Sequence, residues 1–332
     1  MGWRSSNRKP QSWQSEKQRQ LILRYSARKR GPMGFPKEVK VIETMIGTRA
    51  GKIAKLNYQN LTGMKDKETE GYNFPAQYMF KDVPWSNQAR NFEEQPEPPQ
   101  GSDLLLPYMD KHNIEIAMIG VGPGQERSGA REAIEQYPDR FIGCHEPDPN
   151  DVMGSIATIR ELHENGYIKA ISAFPAGRNP QVPINDPKMY ALYALCVELD
   201  IPIFCCAGIP GPRVPFEAQH VKLIDDVMYD FPDLRFVTRH GCEPWEELAV
   251  KLMLKWPNLF YSTSAFAPKY YPKSIIDYAN TRGAEKVLYA GYFPMGIHID
   301  TIFEQLPNVP FRDHVWSQFL RENAMRVLKL EL

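Results

Sequence analysis

Eight short apolar segments alternate with amphipathic segments along most of the chain. Uninterrupted apolar runs are typical of parallel strands buried on both faces of a sheet, whereas apolar residues at helical spacing favour helices. Several helical segments begin at an Asp-Pro or Glu-Pro pair, which favours a helix start. The predicted strands are residues 40–46, 114–120, 141–146, 168–174, 201–207, 235–241, 259–264 and 286–292, and the clearest predicted helices are 151–165, 188–199, 217–229 and 245–256.

The spacing of these segments predicts the fold. From the second strand onward, predicted strands begin every 24 to 34 residues, which is the length of one strand–loop–helix–loop unit. Eight such units favour an α/β fold of the (β/α)8 TIM-barrel type over an open, doubly wound sheet. Gly120, Gly122 and Gly124 follow a strand, but Gln125 stands where the dinucleotide-binding pattern G-x-G-x-x-G requires its third glycine. The sequence therefore does not indicate a nucleotide-binding fold.

Two segments lie outside the regular alternation. Residues 1–38 form a basic N-terminal arm, whose first 31 residues include nine basic residues and one acidic residue. Residues 39–332 form the predicted barrel, with a long insertion at 48–101 after its first strand. The arm carries two tryptophans and an apolar cluster at 21–23, and long insertions commonly cover active sites or mediate contacts. We therefore expect a homo-oligomer, with the arm or the insertion at its interface.

The composition limits which classes of partner and which cellular compartment we expect. Lys and Arg together number 40, as do Asp and Glu, so the formal net charge is zero and no nucleic-acid partner is expected. The longest uncharged runs are too short, and too rich in Pro and Gly, to span a bilayer, so we expect no membrane partner. The odd number of cysteines, five, and the lack of an apolar signal segment favour a cytoplasmic location. The expected partner is a small-molecule substrate or another protein.

Candidate chemistry lies where the predicted strands end, because reactive groups of a (β/α)8 barrel lie at the carboxyl ends of its strands. Cys206 and His240 end neighbouring strands, which is the placement that a thiolate–imidazole pair needs. His145 and Glu146 end the third strand and are a candidate general acid and base. Tyr292, at the end of the eighth strand, is a candidate donor to an oxyanion.

Two arginines and an alternative metal site complete the candidates. Arg178 and Arg213 follow strands four and five in loops rich in Pro and Gly, where guanidinium groups suit a carboxylate substrate. Glu43, Cys206 and His240 are all residue types that ligate zinc, and three ligands plus water would suit catalysis. We expect no cofactor, with zinc at these three residues as the alternative.

The carboxyl-terminal half resembles a known family. The segments that show this resemblance are RFVTRHGCEPW at 235–245, NLFYSTS at 258–264, KVLYAGYFP at 286–294 and ENAMRVLKL at 322–330. In this order and spacing they are similar to strands six to eight and the C-terminal helix of the amidohydrolase-related (amidohydrolase 2) family, which includes aminocarboxymuconate-semialdehyde decarboxylase and γ-resorcylate decarboxylase. The resemblance implies the barrel and a hydrolase or carboxy-lyase activity.

The resemblance also implies a divalent metal, usually zinc, held by a His-x-His pair on strand one, a His on each of strands five and six, and an Asp on strand eight. In this chain those positions are Met45, Gly47, Cys206, His240 and Tyr292, so that His240 alone matches. Most metal-ligand positions are therefore substituted, and we expect the usual metal site to be missing.

Two functional hypotheses follow from these residues. The first is a divergent enzyme with hydrolase or carboxy-lyase chemistry on a small carboxylated or aromatic metabolite, without the family's usual metal site. The second is a catalytically silent accessory, assembly or interaction subunit, because a fold alone does not establish an activity.

Overall fold

A computed structural model describes residues 35–49, 94, 96, 98–122, 129–212, 214–294 and 297–331 of the chain. The basic arm up to residue 34, most of the insertion and Arg213 lie outside the described residues.

The described residues form eight parallel strands, hydrogen-bonded in the order β1 to β8, with helices between them. This arrangement confirms the predicted (β/α)8 barrel. None of the described helices is long and apolar enough to cross a bilayer. The strands are β1 Val41–Ile46, β2 Ile114–Gly120, β3 Phe141–His145, β4 Ala170–Ala173, β5 Ile203–Cys206, β6 Phe236–Arg239, β7 Leu259–Ser262 and β8 Val287–Leu288. The helices are α1 Gly101–Lys111, α2 Ala130–Gln136, α3 Val152–Glu164, α4 Pro187–Glu198, α5 Leu223–Asp230, α6 Glu246–Lys255, α7 Lys273–Ala279, α8 Ile299–Gln305, α9 Asp313–Ser317 and α10 Asn323–Leu328.

Alternate residues of each strand face the barrel interior and the helical layer, as the two-residue period of a strand requires. In β5, for example, Phe204 belongs to the interior cluster and Cys205 to the outer one. Val327 and Leu328 of α10 belong to the interior cluster too. Arg235, just before β6, donates to the Val327 carbonyl at 2.8 Å, so α10 closes the amino-terminal end of the barrel.

β8 is much shorter than the predicted strand at 286–292. Residues of the C-terminal helices form further hydrogen bonds with the backbone around it. The side-chain amide of the fully buried Asn323 donates to the carbonyls of Ala284 and Val287 at 2.8 and 2.7 Å. The Tyr289 N–H donates to the Phe319 carbonyl, which lies in the π-helical turn between α9 and α10, at 2.9 Å. The backbone around β8 is thus held by the C-terminal helices in addition to β7.

Side chains of β1 close the barrel against the segment after β8. The described residues show no β-ladder between β1 and β8. Instead, the Glu43 carboxylate accepts from the Gly291 N–H at 2.7 Å, and the Thr44 hydroxyl donates to the Tyr289 carbonyl at 2.7 Å. The Gly47 N–H also donates to the Phe293 carbonyl at 2.8 Å. We call this contact the β1–β8 seam.

Residue 291 must be glycine for the seam to form. A Cβ atom there would lie 2.6 Å from Oε2 of Glu43, which is closer than real Cβ contacts. The same carboxylate also accepts from the Met45 N–H at 2.9 Å. Glu43 therefore belongs to the seam, and its place in the alternative zinc set stays a prediction.

The predicted helix at 217–229 is divided in the structure. A short 3-10 turn, Glu217–Gln219, precedes α5. The Gln219 side chain donates to the Gly208 carbonyl at 2.8 Å, and the Gly208 N–H donates to the Gln219 carbonyl at 2.9 Å. This pairing with the loop after β5 competes with helical hydrogen bonds at Gln219, so the helix starts after it.

The two ends of the insertion after β1 lie side by side. The Gly101 N–H donates to the Thr48 carbonyl at 2.9 Å, which connects the end of β1 to the first residue of α1.

The seam predicts a specific pH dependence of stability. Burial raises the pKa of Glu43 from 4.5 to about 7, against the smaller effects of the Gly291 and Met45 N–H groups. The fold therefore favours the protonated carboxyl group, and this stabilisation is complete below pH 4.5 and lost as the pH rises through 7. Between pH 4.5 and 8, we expect the free energy of unfolding of the wild type to fall by about 3 kcal/mol relative to that of Glu43→Gln. Urea unfolding at several pH values measures this difference.

Glu198→Gln, at an exposed carboxylate paired with Arg160, is the matched control and should follow the wild-type profile. Parallel profiles for the wild type and Glu43→Gln would contradict this role of Glu43.

Candidate active site

Four interior-facing side chains form a layer near the carboxyl ends of β3 to β6, and we call them the mouth layer. They are Cys144 of β3, Ser172 of β4, Cys206 of β5 and Arg239 of β6, and all four are buried. The Arg239 guanidinium spans this layer. Its Nη2 contacts Sγ of Cys144 at 3.9 Å, and its Cζ lies 5.3 Å from the ring centroid of Phe204, which is on β5 just before Cys205.

Arg239 is a buried cation without an anionic partner. Its side chain is on a residue that is only 7% exposed, and Nε has no hydrogen-bond partner. Within the described part of the chain, Arg239 forms no ion pair, and a thiol is a weak hydrogen-bond partner. Arginine keeps its charge even when buried, so the mouth layer carries a permanent positive charge.

Cys206 carries a protonated thiol in this layer. Burial raises its pKa to about 12, although the neighbouring Arg239 lowers it. Burial likewise raises the pKa of Cys144. No described hydrogen bond joins Cys206 to His240, so the structure does not form the thiolate–imidazole pair that the sequence indicated.

His240 follows β6 directly and holds a neutral ring. Its backbone N–H donates to Oγ of Ser264 at 3.1 Å, and the same hydroxyl lies 3.3 Å from its Nδ1. Burial, and secondly the charge of Arg239, lower the pKa of His240 to about 3. Its ring meets that of Tyr292 edge to face at 5.1 Å between centroids. The structure therefore brings two of the predicted site residues, His240 and Tyr292, together.

Glu146 and Arg178 form an ion pair near the mouth layer. Nη2 of Arg178 donates to Oε1 of Glu146 at 2.6 Å, with the two side chains 20% and 46% exposed, respectively. Both charges affect the pKa of Cys206, Glu146 raising it and Arg178 lowering it, so the pair lies close to the thiol. The structure thus joins a predicted acid–base residue to a predicted substrate-binding residue.

His145 is oriented by a backbone carbonyl. It follows Cys144, whose side chain faces the interior, so alternation turns His145 towards the outer layer. Its Nδ1 lies 2.9 Å from the Val121 carbonyl and therefore donates to it. Burial lowers the pKa of His145, so the ring is neutral at neutral pH. This contact orients the His145 ring, and the charges of Glu146 and Arg178 both act on its pKa, so His145 lies near that ion pair. Its acid–base role stays a prediction.

The residues at the family's metal-ligand positions do not fit a divalent cation. A Cβ atom at Gly47 would lie 3.1 Å from Cδ of Pro294, so there is little space for a ligand side chain. Cys206 lies beside the Arg239 cation, which disfavours a second cation there. In the described ranges, no three His, Cys, Asp or Glu side chains are placed to hold a metal ion, so Glu43, Cys206 and His240 are not assembled as a zinc site. Arg213, the other predicted substrate-binding residue, lies outside the described residues.

Arg239 is the functional candidate that sequence reasoning missed. The usable signal was a charge inside an apolar strand, at the same parity as the interior residue Val237. The adjacent His240 is the more obvious candidate in the sequence, because it matches the family pattern.

The fold is similar to that of several solved barrels. An uncharacterized TIM-barrel protein from Bordetella bronchiseptica has 21% sequence identity and a TM-score of 0.65, over 88% of this chain and 99% of that one. A manganese complex of 5-carboxyvanillate decarboxylase from Novosphingobium aromaticivorans has 16% identity and a TM-score of 0.61, over 89% and 97%. For 2,6-dihydroxybenzoate decarboxylase from Rhizobium the values are 14% and 0.58, over 88% and 99%.

No curated protein matches the sequence. A family model does match: residues 117–330, more than half of the chain, fit the model Amidohydro_2, described as amidohydrolase. These residues include β3 to β8, the mouth layer and the C-terminal helices. The chain therefore belongs to the amidohydrolase family that this model describes.

Proposed function

We propose that this protein is a carboxy-lyase that binds a small aromatic carboxylic acid at the mouth layer. The observation that carries the proposal is the charge of the described part of the site, where Arg239 and Arg178 supply two guanidinium groups against one carboxylate, Glu146. A net positive, largely buried site favours an anionic ligand. Decarboxylases of aromatic acids are among the proteins with similar folds, which supports this substrate class.

The reaction breaks the carbon–carbon bond to the carboxyl group. A proton first adds to the ring carbon that bears the carboxyl group, with an electron pair that an ionised ring oxygen supplies through the ring. The carbon–carbon bond then breaks, carbon dioxide leaves, and the bonding electron pair restores the aromatic ring and the charge on that oxygen. One proton is therefore consumed for each carbon dioxide released. Because an ionised ring hydroxyl group supplies the electron pair, we propose hydroxybenzoic acids as substrates.

The neighbouring side chains suit such a ring. The Tyr292 ring offers an aromatic edge or face, and its neighbour His240 offers an uncharged imidazole. A neutral imidazole hydrogen-bonds to a ring hydroxyl without adding charge. Arg178 lies at the more exposed side of the site, where the entering carboxylate competes with Glu146 for its guanidinium.

The first test measures turnover. Purified protein is incubated with 5-carboxyvanillate, 2,6-dihydroxybenzoate and related hydroxybenzoates, with and without added manganese. We expect at least one acid to release carbon dioxide, measured in the headspace, with formation of an equal amount of the decarboxylated phenol. Release that requires no added metal is expected from the poor fit of the ligand positions.

Binding of these acids without any carbon dioxide release would instead favour the second hypothesis, a catalytically silent accessory protein.

The second test uses the ion pair at the site. Glu146→Gln removes the carboxylate that competes for Arg178, so we expect aromatic carboxylates to bind several-fold more tightly, because about 1 kcal/mol of competing charge interaction is lost. Isothermal titration with benzoate measures the dissociation constant.

Glu198→Gln removes the carboxylate of a distant Arg–Glu pair, that of Arg160, and should leave the dissociation constant unchanged. Equal or weaker binding by Glu146→Gln would count against Arg178 as the carboxylate-binding residue.

A further inference from the structure

We propose that the Arg239 guanidinium binds the ionised ring oxygen of the aromatic acid, as a fixed cation that the chain supplies in a layer unsuited to a metal ion. The identity of the ligand rests on the proposed function. The role of Arg239 rests on its own surroundings.

Those surroundings leave the guanidinium unsatisfied. A buried charge normally has an ionic or hydrogen-bonding partner, because removal from water is costly. Arg239 is 7% exposed, its Nε is unpartnered, and its one described hydrogen-bonding contact is Sγ of Cys144 at 3.9 Å. The Phe204 ring lies against the guanidinium and contributes a weaker cation–π interaction. An incoming anionic oxygen would supply the missing partner.

Among the described residues, the side chains around Arg239 do not supply an anion. Its neighbours in the mouth layer are the thiols of Cys144 and Cys206 and the hydroxyl of Ser172. Glu146 also acts on this layer, but its carboxylate is bound to Arg178 at 2.6 Å. The chain thus keeps one arginine paired at the rim and the other unpaired in the interior.

The reaction chemistry assigns a different oxygen to each arginine. Breaking the carbon–carbon bond of the ring-protonated intermediate returns negative charge from the carboxylate, through the ring, to the ring oxygen. A cation accelerates this step only if it interacts more strongly with the transition state than with that intermediate. A buried guanidinium on the ring oxygen meets this condition, whereas on the carboxylate it would stabilise the charge that has to leave. Arg178 therefore takes the carboxylate and Arg239 the ring oxygen.

The test uses two probes that separate these oxygens. 2-Nitroresorcinol has ionisable ring hydroxyls without a carboxylate, and its visible absorbance reports their ionisation. Benzoate has a carboxylate without a ring hydroxyl. With chelator-treated wild-type protein, we expect bound 2-nitroresorcinol to ionise at a lower pH than the free probe.

Arg239→Met should abolish that shift and weaken 2-nitroresorcinol binding by at least about tenfold, and change benzoate binding by less than about threefold. Arg178→Met should show the opposite pattern, and Arg160→Met, at a distant surface pair, should change neither. A structural role would lower the unfolding temperature of Arg239→Met. The proposed role predicts an equal or higher one, because an unpaired buried charge is removed.

Three results would overturn the inference: the wild type does not bind 2-nitroresorcinol, it binds the probe only with added manganese, or Arg239→Met shows the same ionisation shift as the wild type. The inference would also be wrong if Arg239→Met lost benzoate binding and kept 2-nitroresorcinol binding. If Arg239→Met does not fold, Arg239→Gln decides, because an unchanged ionisation shift in a variant without the charge would contradict the role of the cation. Probe binding through Arg239 without carbon dioxide release would refute the proposed function alone, whereas turnover that survives in Arg239→Met would refute this inference alone.

Discussion

The barrel closes through hydrogen bonds to the carboxyl group of Glu43. Strand β8 has two residues and forms no described ladder with β1, so side chains complete the ring of strands. One oxygen of Glu43 accepts from the Met45 and Gly291 N–H groups, which fixes the end of β1 and the segment after β8 at the same point. Tyr292 follows Gly291 directly. The position of its ring beside His240 therefore depends on this seam.

Desolvation determines the charge state of the site around Arg239. Burial raises the pKa of Cys206 and lowers the pKa of His240, so both become neutral. A guanidinium group cannot become neutral in this way, because its proton stays bound in proteins. Burial thus removes the charge from Cys206 and His240 and leaves it on Arg239. A thiol, an imidazole and an arginine together make an electrostatically simple site, with one fixed positive charge.

The sequence predicts the fold well because strands buried on both faces give continuous apolar runs, and the runs recur at the length of one βα unit. It predicts less about where strands and helices end. The end of β8 depends on contacts with Asn323 and Phe319, and the start of α5 depends on the pairing of Gln219 with Gly208, and all four residues are distant in sequence from the backbone that they hold.

The site is predictable in part. The motif around His240 identifies the family and the correct end of the barrel. The alternation along β5 predicts that one of Cys205 and Cys206 faces the interior, and the structure shows that Cys205 faces outward and Cys206 inward. The direction of Glu43 does not follow from alternation, because the pairing of β1 with β2 is irregular between Glu43 and Ile46. The importance of Arg239 depends on the absence of a partner, and a lack of contacts has no signature in a single sequence.

The hydrogen bond between Thr48 and Gly101 makes the insertion separable from the barrel in an engineering sense. Its two ends already meet at 2.9 Å, and the entropy cost of closing a loop changes only slowly with its length. A change in the length of the intervening chain therefore has little effect on the stability of the barrel. A turn of a few residues would connect β1 to α1 without moving either. The junction is consequently a natural place to graft, shorten or exchange the segment that follows the first strand, while the mouth layer keeps its geometry.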